Sequence, residues 1–347
     1  MNFLLNYGLF LIKFITIIMV ISTVILVFIS GNLKKKNLGK LQITNLSEDY
    51  DQIKKDLQLA KIPLQEKKTW LKNDKKEKKK KLKTEKLLMK KGEVKSTKPT
   101  LYVIDFKGSI DAKEVDSLRR EVSAILSVNQ ANDEILIRLE SCGGVVNGYG
   151  LAASQIKRMR DRGLHITVAV DKVAASGGYM MACVANHIVA APFSIVGSIG
   201  VIAQIPNFNR LLKNNNIDVE MHTAGKYKRT LTLLGENTEE GREKFKEELN
   251  QTHLLFKNFV HKMRPNVNID SISTGEYWYG DNALQLGLID ELGTSDDFII
   301  KYMNKFNIIS ISYIKKRGKI FDYLADSTNK ILYSYLLDLW INFKKKS

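Results

Sequence analysis

Cysteine is nearly absent, with only Cys142 and Cys183 in 347 residues. Two cysteines cannot build a disulfide framework, and without a Cys-x-x-Cys pair they supply no structural zinc motif. Histidine is scarce too. None of the five (His165, His187, His222, His253 and His261) sits in a neighbourhood like that of a triad histidine. Acidic residues are short where lysine is plentiful: residues 34–98 hold 22 lysines against nine Asp plus Glu, a net +13 of the total +17. That segment also lacks arginine, and Trp70 is the lone aromatic between Tyr50 and Tyr102. Nucleic-acid binding is therefore not expected, since stacking platforms and forked phosphate donors are missing. Apolar residues at 44% and charged residues at 26% exclude wholesale disorder.

What is present begins with a long apolar run. From Tyr7 to Ser30 the only charge is Lys13, and Phe14 to Ile29 is uncharged, enough to cross a hydrocarbon core of ~30 Å. A cleaved signal peptide would show a shorter run and a small-x-small site, which Phe28, Ile29 and Ser30 do not offer. The expectation is a transmembrane anchor over 7–30. Lys34, Lys35 and Lys36 open a lysine-rich stalk over 31–99, near anionic lipid headgroups, ending at Lys98-Pro99. A second apolar run, Ile188 to Ile205, is broken by Pro192, Gly197 and Gly200 and reads as buried strands.

From Thr100 onward strand-like and helix-like segments alternate. Strands are expected at 101–106, 134–140, 165–170, across 187–202 and at 217–223. Helices are expected at 112–127, 147–162, 176–185, 239–264 and 295–305. This alternation predicts an α/β domain over 100–305. A C-terminal extension, 306–347, carries helical apolar spacing over 319–343, fit for core or subunit contact or for a membrane surface.

Chemistry is expected where glycines and small polar residues meet strand-to-helix junctions. Ser141-Cys142-Gly143-Gly144 follows one strand, and paired glycines there can expose N–H groups to an oxyanion. Ser176-Gly177-Gly178 follows another, at a helix N-terminus; the plain alternative is an N-cap serine. Ser176 is not in a Gly-x-Ser-x-Gly elbow. A serine nucleophile needs a base, and a lysine held neutral by burial can serve. Gly225-Lys226-Tyr227-Lys228-Arg229 offers three cations, and composition does not choose among them.

Ala-Ala-Ser176-Gly-Gly-Tyr, Gly197-Ser198-Ile-Gly-Val and Gly225-Lys-Tyr-Lys228, in that order, resemble the signal peptide peptidase A family of serine peptidases. The likeness spans about 100–295 and extends to GYGLAASQ, YMMACVA, TLTLLGENTEEGREKF and EYWYG, with the anchor matching as well. It implies a ClpP/crotonase-like fold of ββα units and peptide hydrolysis by a Ser–Lys dyad. By position it makes Ser176 the nucleophile, Lys228 the general base, and Ser198 the residue orienting the lysine. Gly143 and Gly177 become the oxyanion-hole donors, with Gly144 beside them. The family often has proline where this chain has Cys142, so the turn is less rigid here. No cofactor and no metal are called for.

The partners implied are peptide or protein substrates, membrane lipid and further copies of the chain. Remnant signal peptides or membrane proteins are the implied substrates, at the bacterial cytoplasmic (inner) membrane. The lysines after Ser30 favour a cytoplasmic catalytic side by the positive-inside rule, whereas the resemblance favours the periplasmic side. Two other readings share some of these features. A crotonase-type acyl-CoA enzyme would need no serine nucleophile, and an inactive membrane scaffold would not need to retain Ser176, Ser198 and Lys228.

Overall fold

The computed structural model describes residues 13–20, 39–90 and 98–314. The chain divides into two compact units, Gln42–Ser312 on the one hand and Met1–Leu41 with Tyr313–Ser347 on the other. In the second of these, residues 13–20 are helical and expose their apolar side chains. Among the described residues no helix is long and apolar enough to cross a membrane. The rest of the 7–30 run, Lys34–Lys36 and the 319–343 pattern lie outside the described residues.

In chain order the elements are β1 (Lys40–Asn45), α1 (Leu46–Lys61), α2 (Leu64–Lys90), β2 (Thr100–Lys107), α3 (Val115–Val128), β3 (Glu134–Glu140), α4 (Val146–Arg160), β4 (His165–Val170), β5 (Val173–Ala175) and α5 (Gly177–Ala182). There follow β6 (His187–Ala190), β7 (Ile195–Gly197), α6 (Asn209–Asn214), α7 (Glu239–Met263), α8 (Ile269–Ile272), β8 (Tyr277–Tyr279), α9 (Gly280–Gln285), β9 (Glu291–Leu292), α10 (Ser295–Tyr302) and β10 (Asn307–Ile314).

A seven-stranded sheet runs in the order β1-β10-β2-β3-β4-β6-β9. From β10 to β9 every pairing is parallel, with Ile308 opposite Leu101, Ile104 opposite Ile137, Ile137 opposite Val168, and Val168 opposite Ile188. The central strands are near-continuous apolar runs because both faces are covered. α3 buries Val115, Leu118, Val122 and Ile125, and α4 buries Tyr149, Ala152, Ala153, Ile156 and Met159, each at the spacing of one helical face. A smaller sheet, β5-β7-β8, pairs β5 parallel and β8 antiparallel to β7. It delivers two serines, because Ser176 follows β5 and Ser198 follows β7.

Three stretches differ from the sequence reading. The expected helical extension over 306–347 opens with β10, which pairs parallel with β2 within the seven-stranded sheet, so the domain continues past 305. The lysine-rich stretch 31–99 contains β1 and α1, which belong with the sheet. Leu46 and Tyr50 pack on the core formed by Leu101, Val103, Leu136, Phe298, Phe306 and Ile308. The Ile308 N–H donates to Ser47 Oγ at 2.9 Å. A reciprocal cap starts α1, with Glu48 N–H donating to Asn45 Oδ1 and Asn45 Nδ2 donating to Glu48 Oε1. Lysine counts hid these few apolar contacts. The expected strand at 217–223 is not regular structure. Ile217, Val219 and Met221 keep their alternation but are exposed, with no strand paired to them among the described residues.

Candidate active site

Ser176 is the residue between β5 and α5, at φ 52° and ψ −119°. A non-glycine residue with positive φ carries strain of roughly 1–3 kcal/mol and persists only where its surroundings hold it there. Here they do: its N–H donates to Gly197 O at 2.8 Å, and its carbonyl accepts from Met180 N at 2.9 Å. Its side chain makes no cap hydrogen bond. The plain N-cap role is thereby set aside, and Oγ is left for other work.

The turn after β3 lies directly against this serine. Ser141 N–H donates to Val173 O at 2.9 Å, and Ala175 N–H donates to Ser141 O at 3.0 Å, so β3 and β5 run together into the site. Gly143 has φ +90°, and a Cβ there would fall 2.7 Å from Ser176 Cβ and 2.8 Å from Gly177 N. Only glycine fits. The Gly143 N–H, expected to face an oxyanion, instead donates to Ser141 Oγ at 3.1 Å. Gly144 and Gly177 both line the cavity beside Ser176, and their N–H groups have no acceptor among the described residues.

That cavity holds about 260 Å³. Its walls are apolar: Val146 and Ala153 from α4, Met180 from α5, and Leu255, Phe256 and Phe259 from α7. Cys142, in the turn, is exposed. Cys183 is buried, and burial pushes its thiol up to about 12, so it stays protonated and inert.

The second expected serine, Ser198, has φ 51° and is held by its N–H donating to Glu276 O at 2.7 Å. Its Oγ donates to Gly275 O at 3.4 Å. Lys228 makes no hydrogen bond to either serine among the described residues. It sits in the turn closed by its own N–H to Gly225 O at 3.1 Å, its side chain is exposed, and its Nζ has no hydrogen-bond or ion-pair partner among the described residues. Of the neighbouring cations, Lys226 is tied to the start of α7. Its Nζ lies 2.7 Å from Glu240 Oε1 and 5.0 Å from the Tyr227 ring centre. The Glu240 hydrogen bond raises the lysine above its ordinary value and lowers the carboxyl. The structure thus brings Ser176, Gly143, Gly144 and Gly177 together, and among the described residues no hydrogen bond links Lys228 to that group.

No histidine takes its place. His253 Nε2 is 3.2 Å from Ile199 O, His187 pairs with Glu291 at 3.0 Å, and His222 pairs with Glu220 at 3.3 Å. Among the described residues no group of three His, Cys, Asp or Glu could hold a metal ion. The sequence reading gave no role to Ser141 or Tyr149, whose hydroxyls lie 2.6 Å apart beside the glycine turn. A serine two residues before Gly143 was the one available signal.

Known proteins resemble the chain along its length. The profile described as peptidase family S49 N-terminal matches residues 2–156, and that of peptidase family S49 matches residues 158–308. The probable protease SohB of Buchnera aphidicola subsp. Schlechtendalia chinensis is 54% identical over 303 residues, covering 86% of this chain and 99% of that one. The probable protease SohB of Haemophilus influenzae is 48% identical over 322 residues, covering 92% and 91%. Among solved structures, ClpP1 from Listeria monocytogenes aligns at 14% identity and a TM-score of 0.38, over 57% of this chain and 94% of that one. Family profiles spanning both halves and relatives matched over nearly their whole length lead to one conclusion: the chain belongs to peptidase family S49 and is a serine-type peptidase.

Proposed function

We propose that the chain is a membrane-anchored endopeptidase of ClpP/crotonase-like fold, with Ser176 as nucleophile and Lys228 as general base. The observation that carries the reading is the setting of Ser176. It is a strained serine, free of capping duty, flanked by two unengaged N–H groups at the mouth of an apolar cavity. Ser176 Oγ attacks the scissile carbonyl, while Lys228 takes its proton and later returns it to the leaving amine. The oxyanion is held by Gly144 and Gly177, Gly144 taking the part expected of Gly143 because the Gly143 N–H is engaged by Ser141. Ser198 orients the lysine.

For Lys228 to act, the exposed stretch carrying it must come over Ser176, within the chain or from a second copy. The cavity fits one medium apolar side chain next to the scissile bond, which suits remnant signal peptides and membrane-protein segments. An anchor over 7–30 would hold the enzyme at the inner membrane, with catalysis on the periplasmic side.

A fluorophosphonate probe on the full chain in detergent tests the assignment. Ser176→Ala is expected to abolish labelling and turnover. Lys228→Arg is expected to be as inactive as Lys228→Ala, since a guanidinium stays protonated. Lys226→Ala and His222→Ala are expected to keep most activity. Substantial turnover in Lys228→Arg removes the lysine from the mechanism.

A further inference from the structure

Behind the glycine turn lies a chain of hydrogen bonds whose direction is fixed by its ends. It starts at the Gly143 N–H, which can only donate, and reaches Ser141 Oγ at 3.1 Å. It finishes at the Ser109 carbonyl, which can only accept, 2.9 Å from Tyr149 Oη. The Tyr149 proton therefore points to Ser109, and the middle link of 2.6 Å has Ser141 Oγ–H donating to Tyr149 Oη. Ser109 is anchored in turn, its N–H and Oγ donating to Glu114 Oε2 at 3.0 and 2.9 Å. Ser141 and Tyr149 are buried, so no water competes for these bonds. Burial also raises the Tyr149 phenol above its ordinary value.

The same tyrosine touches the other side of the site. Its ring lies against Gly177, where any Cβ would collide with Tyr149 Cγ, and it packs edge-on to Phe106 at 6.5 Å between ring centres. One side chain thus bears on both N–H groups that flank the reacting carbonyl. Its ring meets Gly177, and its hydroxyl, through Ser141, fixes the turn that aims Gly144.

We infer that Tyr149 and Ser141 are positioning residues of the hydrolytic reaction: their relay holds the Gly143-Gly144 turn so that the Gly144 N–H meets the developing oxyanion. The inference rests on the reading of Ser176 as nucleophile. It assigns Gly143 the job of tying the turn down and Gly144 the job of donating.

The test uses the full chain in detergent with a fluorogenic peptide carrying an apolar residue before the scissile bond. Tyr149→Phe keeps the ring against Gly177 and removes only the hydroxyl; Ser141→Ala removes the acceptor of the Gly143 N–H. Each is expected to lower kcat about 10- to 100-fold with KM within about twofold, because the lost alignment matters in the transition state. A peptide boronate, which forms a tetrahedral adduct, is expected to weaken in parallel with kcat. An uncleavable peptide analogue is expected to bind unchanged. The double variant Tyr149→Phe/Ser141→Ala is expected to lose no more than the worse single, as for two links of one chain.

Multiplying losses, or melting temperatures that fall while kcat holds, would overturn the relay. If Tyr149→Phe fails to fold, Ser141→Ala with the boronate series decides alone. Full turnover in a folded Ser176→Ala overturns the nucleophile reading and the relay with it. Loss in Ser176→Ala beside intact kcat in both relay variants overturns the relay only.

Discussion

At the scale of single residues, the site depends on backbone that cannot be crowded. Gly143 combines a positive φ with close approach to Ser176 Cβ, so Gly143→Ala meets strain and collision together. The left-handed conformation alone costs a side-chain-bearing residue roughly 1–2 kcal/mol. The clash should push the turn away from Ser176, and turnover is expected to fall about 100-fold or more, the scale of losing one oxyanion donor. Kinetics on a folded Gly143→Ala with near-normal kcat would show that the turn is not part of the hole. Gly143 and Ser176 stand out in the sequence only through the family resemblance, since a Gly-Gly turn and an N-cap serine are each commonplace on their own. The part proposed for Gly144 was hidden, since which N–H is already engaged depends on Ser141 Oγ, a contact no spacing rule announces.

At the scale of elements, the strands of the central sheet were readable because both faces are buried and their residues run apolar without interruption. Helices α3, α4 and α7 showed through their 3.6-residue period. The α1 helix was masked by lysines, since only Leu46, Ser47 and Tyr50 reveal that it docks on the sheet. How α7 is pinned depends on a contact between residues distant in sequence. Arg264, just past its end, donates to both oxygens of Asp290 at 2.8 Å and to Gly287 O at 2.7 Å. Ile188 N–H donates to the same Asp290 at 2.8 Å. Burial alone would raise the Asp290 carboxyl, but these hydrogen bonds, the Arg264 charge and His187 hold it below the usual carboxylate value. A carboxyl lowered on folding stabilises above its unfolded pKa, and that stability is lost as pH falls through the folded value. Asp290→Asn is expected to cost about 2 kcal/mol at neutral pH, less than for a fully buried pair because both groups retain some exposure. The gap between variant and parent should begin to narrow below about pH 4, the ordinary carboxyl value, and should close only as pH falls through the lower folded value. Urea melts at pH 7 and pH 3 measure it; an equal gap at both would mean the charge on Asp290 is not what stabilises.

At the scale of the whole molecule, the proposed nucleophile and the proposed base share no hydrogen bond among the described residues. Lys228 lies on a stretch whose apolar residues face outward: Ile202 is 82% exposed, and Leu211, Ile217, Met221, Leu233 and Leu234 are exposed beside it. The 217–223 alternation is that of a strand lacking a neighbour. A chain that leaves so many apolar side chains in water along one segment gains from covering them, and a second copy offers the same surface in return. If Lys228 reaches Ser176 across such a contact, two dead variants should rescue each other. Ser176→Ala keeps Lys228, Lys228→Ala keeps Ser176, and a mixed assembly contains sites that combine the two intact residues. Mixing equal amounts of the inactive variants, with subunit exchange, is then expected to restore about a quarter of parental turnover where each site draws one residue from each of two randomly mixed copies. Cross-linking should show the larger assembly in the same samples. If exchange is complete and turnover stays at background, the base is supplied within the chain, and the stretch carrying Lys228 must fold back over its own serine.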